Sequence, residues 1–297
     1  MIKFTIIIPH HNSYSTLLRC LQSLPYANEL QIIVIDDDSD DPIKLSEIKQ
    51  HFPYVEYIYL NNNSGAGKAR NEGLKRANGK WVIFADADDY FINDFYNVVD
   101  SYYDSDSDII YFKSESRISE TGAVADRGNP FNELIDGFLL NYPQSEKKLR
   151  FKHYVPWCKM INLGLIKLNE ISFEEIRYSN DIMFSAKIGY YAKKIEAINK
   201  KLYCVTTNGN SLTRIINKES VICRYEATLR YNSFLASINA TEFQAVILKY
   251  IVLSLKLGLS TTYEMIELGV KYHTNFFSGL NRWKEIFNKN KRQISHF

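Results

Sequence analysis

The residues best suited to chemistry in this 297-residue chain form two acidic clusters, Asp36-Asp37-Asp38 and Asp86-Ala87-Asp88-Asp89. Each comes directly after an apolar, strand-like run, Gln31 to Ile35 in the first case and Trp81 to Ala85 in the second. Carboxylates two residues apart on a turn can reach one hard divalent cation together. Mg²⁺ or Mn²⁺ then completes its shell with diphosphate oxygens and water. A helix N-cap would account for one such acid, but three acids in four residues exceed what capping needs. Two like-charged clusters at one edge of a sheet repel each other, and a purely structural sheet has no use for them. They mark a site for a cation, or for a nucleotide together with a cation.

Other chemical patterns fail at one or two positions. Gly65-Ala66-Gly67-Lys68-Ala69-Arg70 opens like a dinucleotide fingerprint, but Arg70 stands where a third small residue must let helix and strand pack closely. A phosphate-cradling P-loop fails because Ala69 follows Gly67-Lys68 and Asn62 takes the place of the leading glycine. Asp104, Asp106, Asp108 and Glu115 occupy calcium-loop positions, yet Ile109 replaces the glycine of the sharp turn. The four cysteines, Cys20, Cys158, Cys204 and Cys223, are scattered without zinc-ligand spacing and read as reduced thiols. Lys plus Arg is 36 against 34 for Asp plus Glu, a net charge of +2, which argues against a nucleic-acid partner. Hydrophobic residues at 45% and charged residues at 24% exclude a disordered chain.

The elements that must position these acids can be read from the apolar pattern. Phe4 to Ile8 is a β-branched run ending at Pro9, which predicts a strand buried on both faces. Asn12 and Ser13 can cap a helix through Leu17, Leu18, Leu21 and Leu24. Further strands are expected at Gln31–Ile35, Val55–Leu60 and Trp81–Ala85, with a helix from about Gly67 to Ala77 and helical continuation at Ile92-Asn93-Asp94. Strands separated by helices predict a doubly wound α/β, mostly parallel sheet, whose ligands bind beyond the carboxyl ends of the strands. There stand His10-His11-Asn12, Asp36 to Ser39 and Asp86 to Asp89. Ser114 to Lys148 is polar and predicts a long excursion over the active face; Lys201 to Thr206 predicts a late strand. After Ile215 the pattern changes to amphipathic helices. The expected domains are 1–215, with a nucleotide-binding part over 1–112 and an acceptor-side part over 113–215, and a helical extension over 216–297.

Together these motifs resemble the inverting GT-A glycosyltransferases of family 2, in order along roughly residues 3 to 215. Thr5-Ile6-Ile7-Ile8-Pro9-His10-His11-Asn12 is similar to the opening strand and its Pro-x-Tyr-Asn turn, with His11 in the Tyr place. Val34-Ile35-Asp36-Asp37-Asp38-Ser39 resembles the nucleotide-binding Asp-Asp-Gly-Ser segment. Asn63 to Gly73, through Gly67, Ala69, Arg70 and Asn71, matches the Gly-to-Arg-Asn-x-Gly segment, and Asp86-Ala87-Asp88-Asp89 falls on the DxD motif. Trp157-Cys158-Lys159 resembles a Trp-x-Lys segment and Phe173-Glu174-Glu175 a Phe-x-Glu. Ser179-Asn180-Asp181-Ile182-Met183-Phe184 stands where the family has Glu-Asp-x-x-Phe, with Asn180 departing from its Glu. Asn210-Ser211-Leu212-Thr213 resembles a late segment near the diphosphate.

The resemblance implies a GT-A fold and transfer of a hexose or N-acetylhexosamine from a UDP-sugar to a hydroxyl of a glycan acceptor in cell-surface polysaccharide assembly. It implies Asp181 as general base, Asp88 and Asp86 for Mn²⁺ or Mg²⁺, and Pro9, His11, Asn12, Asp36, Asp37, Gly67, Arg70, Asp86 and Ala87 around the nucleotide. Trp157, Asn180 and Ser211 are expected near sugar or acceptor. The family uses the His10-His11 turn for the nucleotide, which argues against a metal site there. Two other readings fit the residues: a sugar nucleotidyltransferase, which also pairs acids with Mg²⁺, and a non-catalytic glycan-binding member, suggested by Asn180 and His11.

No apolar run is long enough to span a bilayer, since Lys249 and Lys256 interrupt Ala245 to Leu259. Met1 to Ile8 is too short for a signal peptide, so the expected location is cytoplasmic. Residues 271–292 carry six basic residues and one acid, interleaved with Tyr272, Phe276, Phe277, Trp283 and Phe287. That composition fits a peripheral contact at the inner face of the plasma membrane, reaching a lipid-linked acceptor, or a helix packing its aromatics on the catalytic domain.

Overall fold

The β-branched run at the N-terminus forms β1 (Phe4–His10), whose side chains alternate between two cores. Ile6 and Ile8 pack on one face of the sheet with Leu17, Leu21 and Leu45, while Ile7 packs on the other with Ala69 and Leu74. Burial on both faces is why the run is continuously apolar. In this computed structural model, which describes residues 1–92, 94–207, 216–272 and 274–277, contacts divide the chain into two units, residues 1–211 and 212–297.

In the first unit α1 (Tyr14–Gln22) leads to β2 (Leu30–Asp36), α2 (Pro42–His51) to β3 (Glu56–Tyr59), and α3 (Ala66–Arg76) to β4 (Trp81–Phe84). These four strands are parallel, in the order β3-β2-β1-β4. β1 runs on through Pro9 to His10, beyond its last residue paired with β4, so proline there faces a single neighbouring strand. Ser13 precedes α1 but makes no side-chain cap; its hydroxyl meets His10 Nδ1 at 3.0 Å instead. α2, which the apolar pattern does not announce, starts with Asp41 accepting the N–H groups of Ile43 and Lys44 and with Pro42 in its first turn.

Beyond β4 the sheet becomes mixed. β5 (Tyr90–Phe91), α4 (Phe95–Asp100), β6 (Ile109–Ile118), α5 (Asn129–Leu139), α6 (Ser145–Lys152), β7 (Lys159–Asn162), α7 (Leu163–Leu168), α8 (Asp181–Tyr191) and β8 (Ile195–Thr207) complete the unit. The order continues β4-β7-β6-β8-β5, with β7 antiparallel between β4 and β6, and β5 antiparallel to β8. Two expectations are corrected. Ile92 and Asp94 are not helical: Tyr90–Phe91 before them is a strand that closes the sheet edge against Tyr203 and Cys204, and α4 starts only at Phe95. The polar stretch after Ser114 is not an excursion but the end of β6 followed by two helices. Its inward positions are serines: Ser116 Oγ accepts the Gly128 N–H at 2.8 Å, and the Asn132 amide pairs with the Ser114 backbone at 3.0 and 2.8 Å. Hydrogen-bonded buried serines erase the apolar alternation that marks a strand.

The second unit contains α9 (Lys218–Ser237), a 3₁₀ turn (Thr241–Phe243), α10 (Leu248–Leu255) and α11 (Leu259–Lys271) around Val221, Tyr225, Leu229, Ile247 and Met265. Asn217 and Ser220 form a capping box at the start of α9. Among the described residues no helix is long and apolar enough to cross a membrane.

His10 carries a testable cost. It is buried, its Nε2 has no hydrogen-bond partner, and it lies 3.8 Å from Asp36 Oδ1. Burial pulls its pKa down to about 4, against the pull of Asp36. The unfolded chain, with an ordinary imidazole near 6.5, therefore binds more protons between pH 6.5 and 4. Stability present above that window is lost as pH falls through it, by about 2 kcal/mol between pH 7 and 4.5. Urea unfolding at both pH values should show this loss in the wild type but not in His10→Gln; an equal loss in both would refute it.

Candidate active site

β2 delivers Asp36 and Asp37 to the carboxyl edge of the sheet, both buried. Asp36 accepts the Ser39 hydroxyl at 2.5 Å and its N–H at 3.3 Å; Asp37 accepts the N–H groups of Ser64 and Gly65 at 2.8 and 2.7 Å. Asp37 thereby fastens the loop before α3 to the end of β2. His11 is exposed, with Nδ1 2.9 Å from the Asp37 carbonyl oxygen and Nε2 3.0 Å from the Asn63 amide. The Asn12 amide pairs with the side chain and backbone of Asp40 at 2.7 and 2.9 Å. Asn12 and Asp38 both adopt left-handed backbone, φ 53° and 63°, which Asn and Asp tolerate best. Pro9, His11, Asn12, Asp36 and Asp37 thus come together at one mouth.

β4 delivers the second cluster. The Asp86 N–H donates to Tyr203 Oη at 2.9 Å, and its carboxylate accepts from Arg70 at 2.6 Å. Ala87 is buried between the acids. The carbonyl oxygen of Asp88 accepts from Arg19 and from Thr206 Oγ1, each at 2.5 Å, and the Asp89 carboxylate accepts the Thr206 N–H at 2.7 Å. Carboxylate oxygens of Asp86, Asp88 and Asp89 lie within 4.8 Å of one another, the one group of this kind among the described residues. Burial first, and the neighbouring Asp86 next, push Asp88 up to about 6, with Arg127 and Arg19 pulling it down. Asp89 is pushed well above the carboxylate range by burial and by Asp88. All-oxygen donors under mutual repulsion suit Mg²⁺ or Mn²⁺. Asp86 is paired with Arg70 and Asp89 holds β8, whereas the hydrogen bonds from Arg19 and Thr206 to Asp88 fall on its backbone carbonyl.

Arg70, 6% exposed, joins this cluster to α8. It donates to Asp86 at 2.6 Å and to Asn180 Oδ1 at 2.9 Å, with its guanidinium 5.3 Å over the Phe173 ring. Asn71 grips the same segment, exchanging hydrogen bonds with the Phe173 backbone at 3.0 and 2.9 Å. Gly67 allows the approach, because a Cβ there would lie 2.2 Å from the Glu174 carbonyl oxygen. Gly67, Arg70 and Asn71 therefore hold the 173–181 segment, and Asn180 sets the start of α8 so that Asp181 opens it. Burial raises the Asp181 pKa above the usual carboxylate value; Arg70 opposes this.

Trp157 corrects an expectation. It is 2% exposed, stacked 6.1 Å from Tyr203 and edge-on to Phe131, so its ring is core and offers no open face to a sugar. Ser211 and most of 271–292 lie outside the described residues. Tyr203, Thr206, Arg19 and Arg127 are site residues that sequence reasoning misses. Tyr203 and Thr206 belong to a strand 117 residues after the acids they bind, and no local spacing announces that.

Residues 5–165 match the family model described as glycosyl transferase family 2. The chain belongs to glycosyltransferase family 2. It is 30% identical over 222 residues to the poly(ribitol-phosphate) beta-N-acetylglucosaminyltransferase TarS of Staphylococcus aureus, covering 70% of this chain and 36% of that protein. It is 30% identical over 211 residues to a poly(ribitol-phosphate) beta-glucosyltransferase of Bacillus spizizenii, covering 65% of this chain and 30% of that protein. The chain thus spans about a third of the length of these relatives. The crystal structure of TarS residues 1–349 with UDP-GlcNAc aligns with a TM-score of 0.70 at 22% identity, covering 91% of this chain and 80% of that one. The GT-A fold is shared.

Asp88→Asn should raise the thermal midpoint of the metal-free protein, by about 2–4 °C if ~1 kcal/mol of repulsion is relieved, because one of three crowded carboxylates loses its charge. Mn²⁺ should stabilise the wild type and leave the variant unmoved. A lower midpoint in the variant, or an equal Mn²⁺ response, would remove Asp88 from the metal site.

Proposed function

We propose that the chain is an inverting glycosyltransferase that moves a hexose or N-acetylhexosamine from a UDP-sugar to a hydroxyl of a glycan acceptor in cell-surface polysaccharide synthesis. Residues 1–215 form its catalytic domain and 216–297 a helical extension. The observation that carries the reading is Arg70, whose one guanidinium binds Asp86 of the metal-type cluster and Asn180 beside the candidate base. Two acids far apart in sequence, with different chemical tasks, are held at one mouth. The names of the relatives support a nucleotide-sugar donor and a polymeric acceptor rich in hydroxyls, and the UDP-GlcNAc bound to TarS supports uridine.

Asp36 and Asp37 each bond to two donors of the protein. A carboxylate has about four acceptor positions, which leaves capacity for uracil N–H and ribose hydroxyl groups. Asp88, with Asp86, would hold Mn²⁺ or Mg²⁺, whose charge offsets that of the departing diphosphate when bound. Asp181 accepts the proton of the acceptor hydroxyl. A carboxylate raised by burial is a stronger base than one in water, and Arg70 favours its ionised form. Inversion needs no covalent sugar intermediate, so a single base is enough.

UDP with Mn²⁺, at ~100 times its dissociation constant, should stabilise the protein by ~2.7 kcal/mol, or roughly 5–10 °C, where ADP, CDP and GDP should not. Stabilisation by all four alike would refute the uridine assignment. Asp181→Asn should keep the UDP response and lose UDP release from the sugar nucleotide by at least ~100-fold. Equal loss of both would show Asp181 to be structural.

A further inference from the structure

Lys159, on β7, is 1% exposed and takes no part in the roles assigned above. Its Nζ donates to the carbonyl oxygens of His153, at 2.7 Å, and Val155, and to Ser185 Oγ at 3.3 Å. Ser185 Oγ in turn donates to the Tyr154 carbonyl at 2.8 Å. Three acceptors around one nitrogen match the three N–H groups of an ammonium; a neutral amine has only two. Ser185 lies on α8 four residues after Asp181, one turn along the same side of the helix. Burial pulls the Lys159 pKa down to about 7, against the pull of Asp181. In its ammonium form it meets all three acceptors and fastens the 153–155 segment to the helix that Asp181 opens.

The charged groups acting on Asp181 come from three elements: Arg70 of α3, Asp86 after β4, and Lys159 of β7. Arg70 is already paired with Asp86 and Asn180. His153, beside Lys159, is buried among Tyr111, Phe131 and Trp157 and stays neutral. An apolar side chain of similar length would fill the slot but leave the buried carbonyl oxygens of His153 and Val155 without this donor, so the ammonium also holds the local fold.

We propose that Lys159 is a positioning residue for Asp181: its ammonium ties α8 to the 153–155 segment through Ser185, one helical turn from Asp181, and adds its charge to that of Arg70 in acting on the carboxylate that takes the acceptor proton. The proposal rests on the reading of Asp181 as the base.

Lys159→Met and Ser185→Ala test it. Calorimetric binding of UDP with Mn²⁺ should stay within about twofold of wild type in both, because neither residue touches the nucleotide-side groups. In Lys159→Met, kcat should fall ~30-fold or more with the donor KM within ~threefold. Its acidic limb should also move to higher pH by about half a unit or more, since a carboxylate that loses a nearby cation holds its proton more tightly. Ser185→Ala keeps the cation, so its acidic limb should stay in place while kcat falls by about threefold to tenfold. Wild-type turnover in Lys159→Met, joint loss of UDP binding and turnover, or an unmoved acidic limb would each overturn the proposal. If the wild type releases no UDP from any sugar nucleotide, it is the reading of Asp181 as base that fails. The Lys159 assignment is then decided by carbon-13 carboxyl titration of Asp181, assigned through Asp181→Asn. A midpoint raised in Lys159→Met upholds it; an unchanged midpoint overturns it.

Discussion

The site depends on one buried guanidinium. Arg70 lies on α3 but bonds to the loop after β4 and to the residue before α8, adding a polar link to the aromatic contacts of Phe84 with Phe173 and Phe184. A buried charge is tolerated only when its donors are taken up, and here Asp86, Asn180 and the Phe173 ring do this together. The Nε of Arg70 has no hydrogen-bond partner, so the bridging is done by the two terminal nitrogens. Gly67 and Asn71 serve the same end from the same helix, one by leaving room and the other by clamping backbone. A short stretch of α3 thereby determines where Asp181 sits.

Against that fixed point the acids divide by what they bind. Asp36, Asp37 and Asp89 accept backbone N–H groups and hold loops or strands in place. Asp86 is paired with Arg70. The carboxylates of Asp88 and Asp181 do not fasten another loop or strand by these bonds, and burial raises both. The cluster therefore combines groups that keep the mouth in shape with groups left able to act on something that enters it. Like-charge crowding is offset by Arg70, Arg127 and Arg19, while the wall beneath is held by Tyr203 and Thr206.

Much of this was legible in the sequence. The continuous apolar runs of β1, β2 and β4 require burial on both faces. Parallel strands carry their C-terminal loops to one edge, so the two acidic clusters had to lie along the same edge, on either side of β1. Arg70 and Asn180 were legible only as motif positions, since nothing in their spacing says that they touch. The mixed half of the sheet was not legible. β7 is four residues long, β5 two, and the inward side chains of β6 include serines whose burial depends on hydrogen bonds to α5. Trp157 misled because an aromatic ring suits a sugar and a core equally well, and only the positions of Phe131 and Tyr203 decide between them.

The division among the acids also bears on how such a chain can change over generations. Replacing Asp37 or Asp89 removes acceptors from backbone N–H groups, so the architecture suffers along with any activity. Replacing Asp88 or Asp181 leaves the framework bonds intact. If Asp88 and Asp181 act as proposed, loss of chemistry and loss of fold are separable at these two positions and inseparable at Asp37 and Asp89. A descendant could fall silent as an enzyme through one change at Asp88 or Asp181 and still be inherited as a sound scaffold, free to be recruited for holding what it once modified.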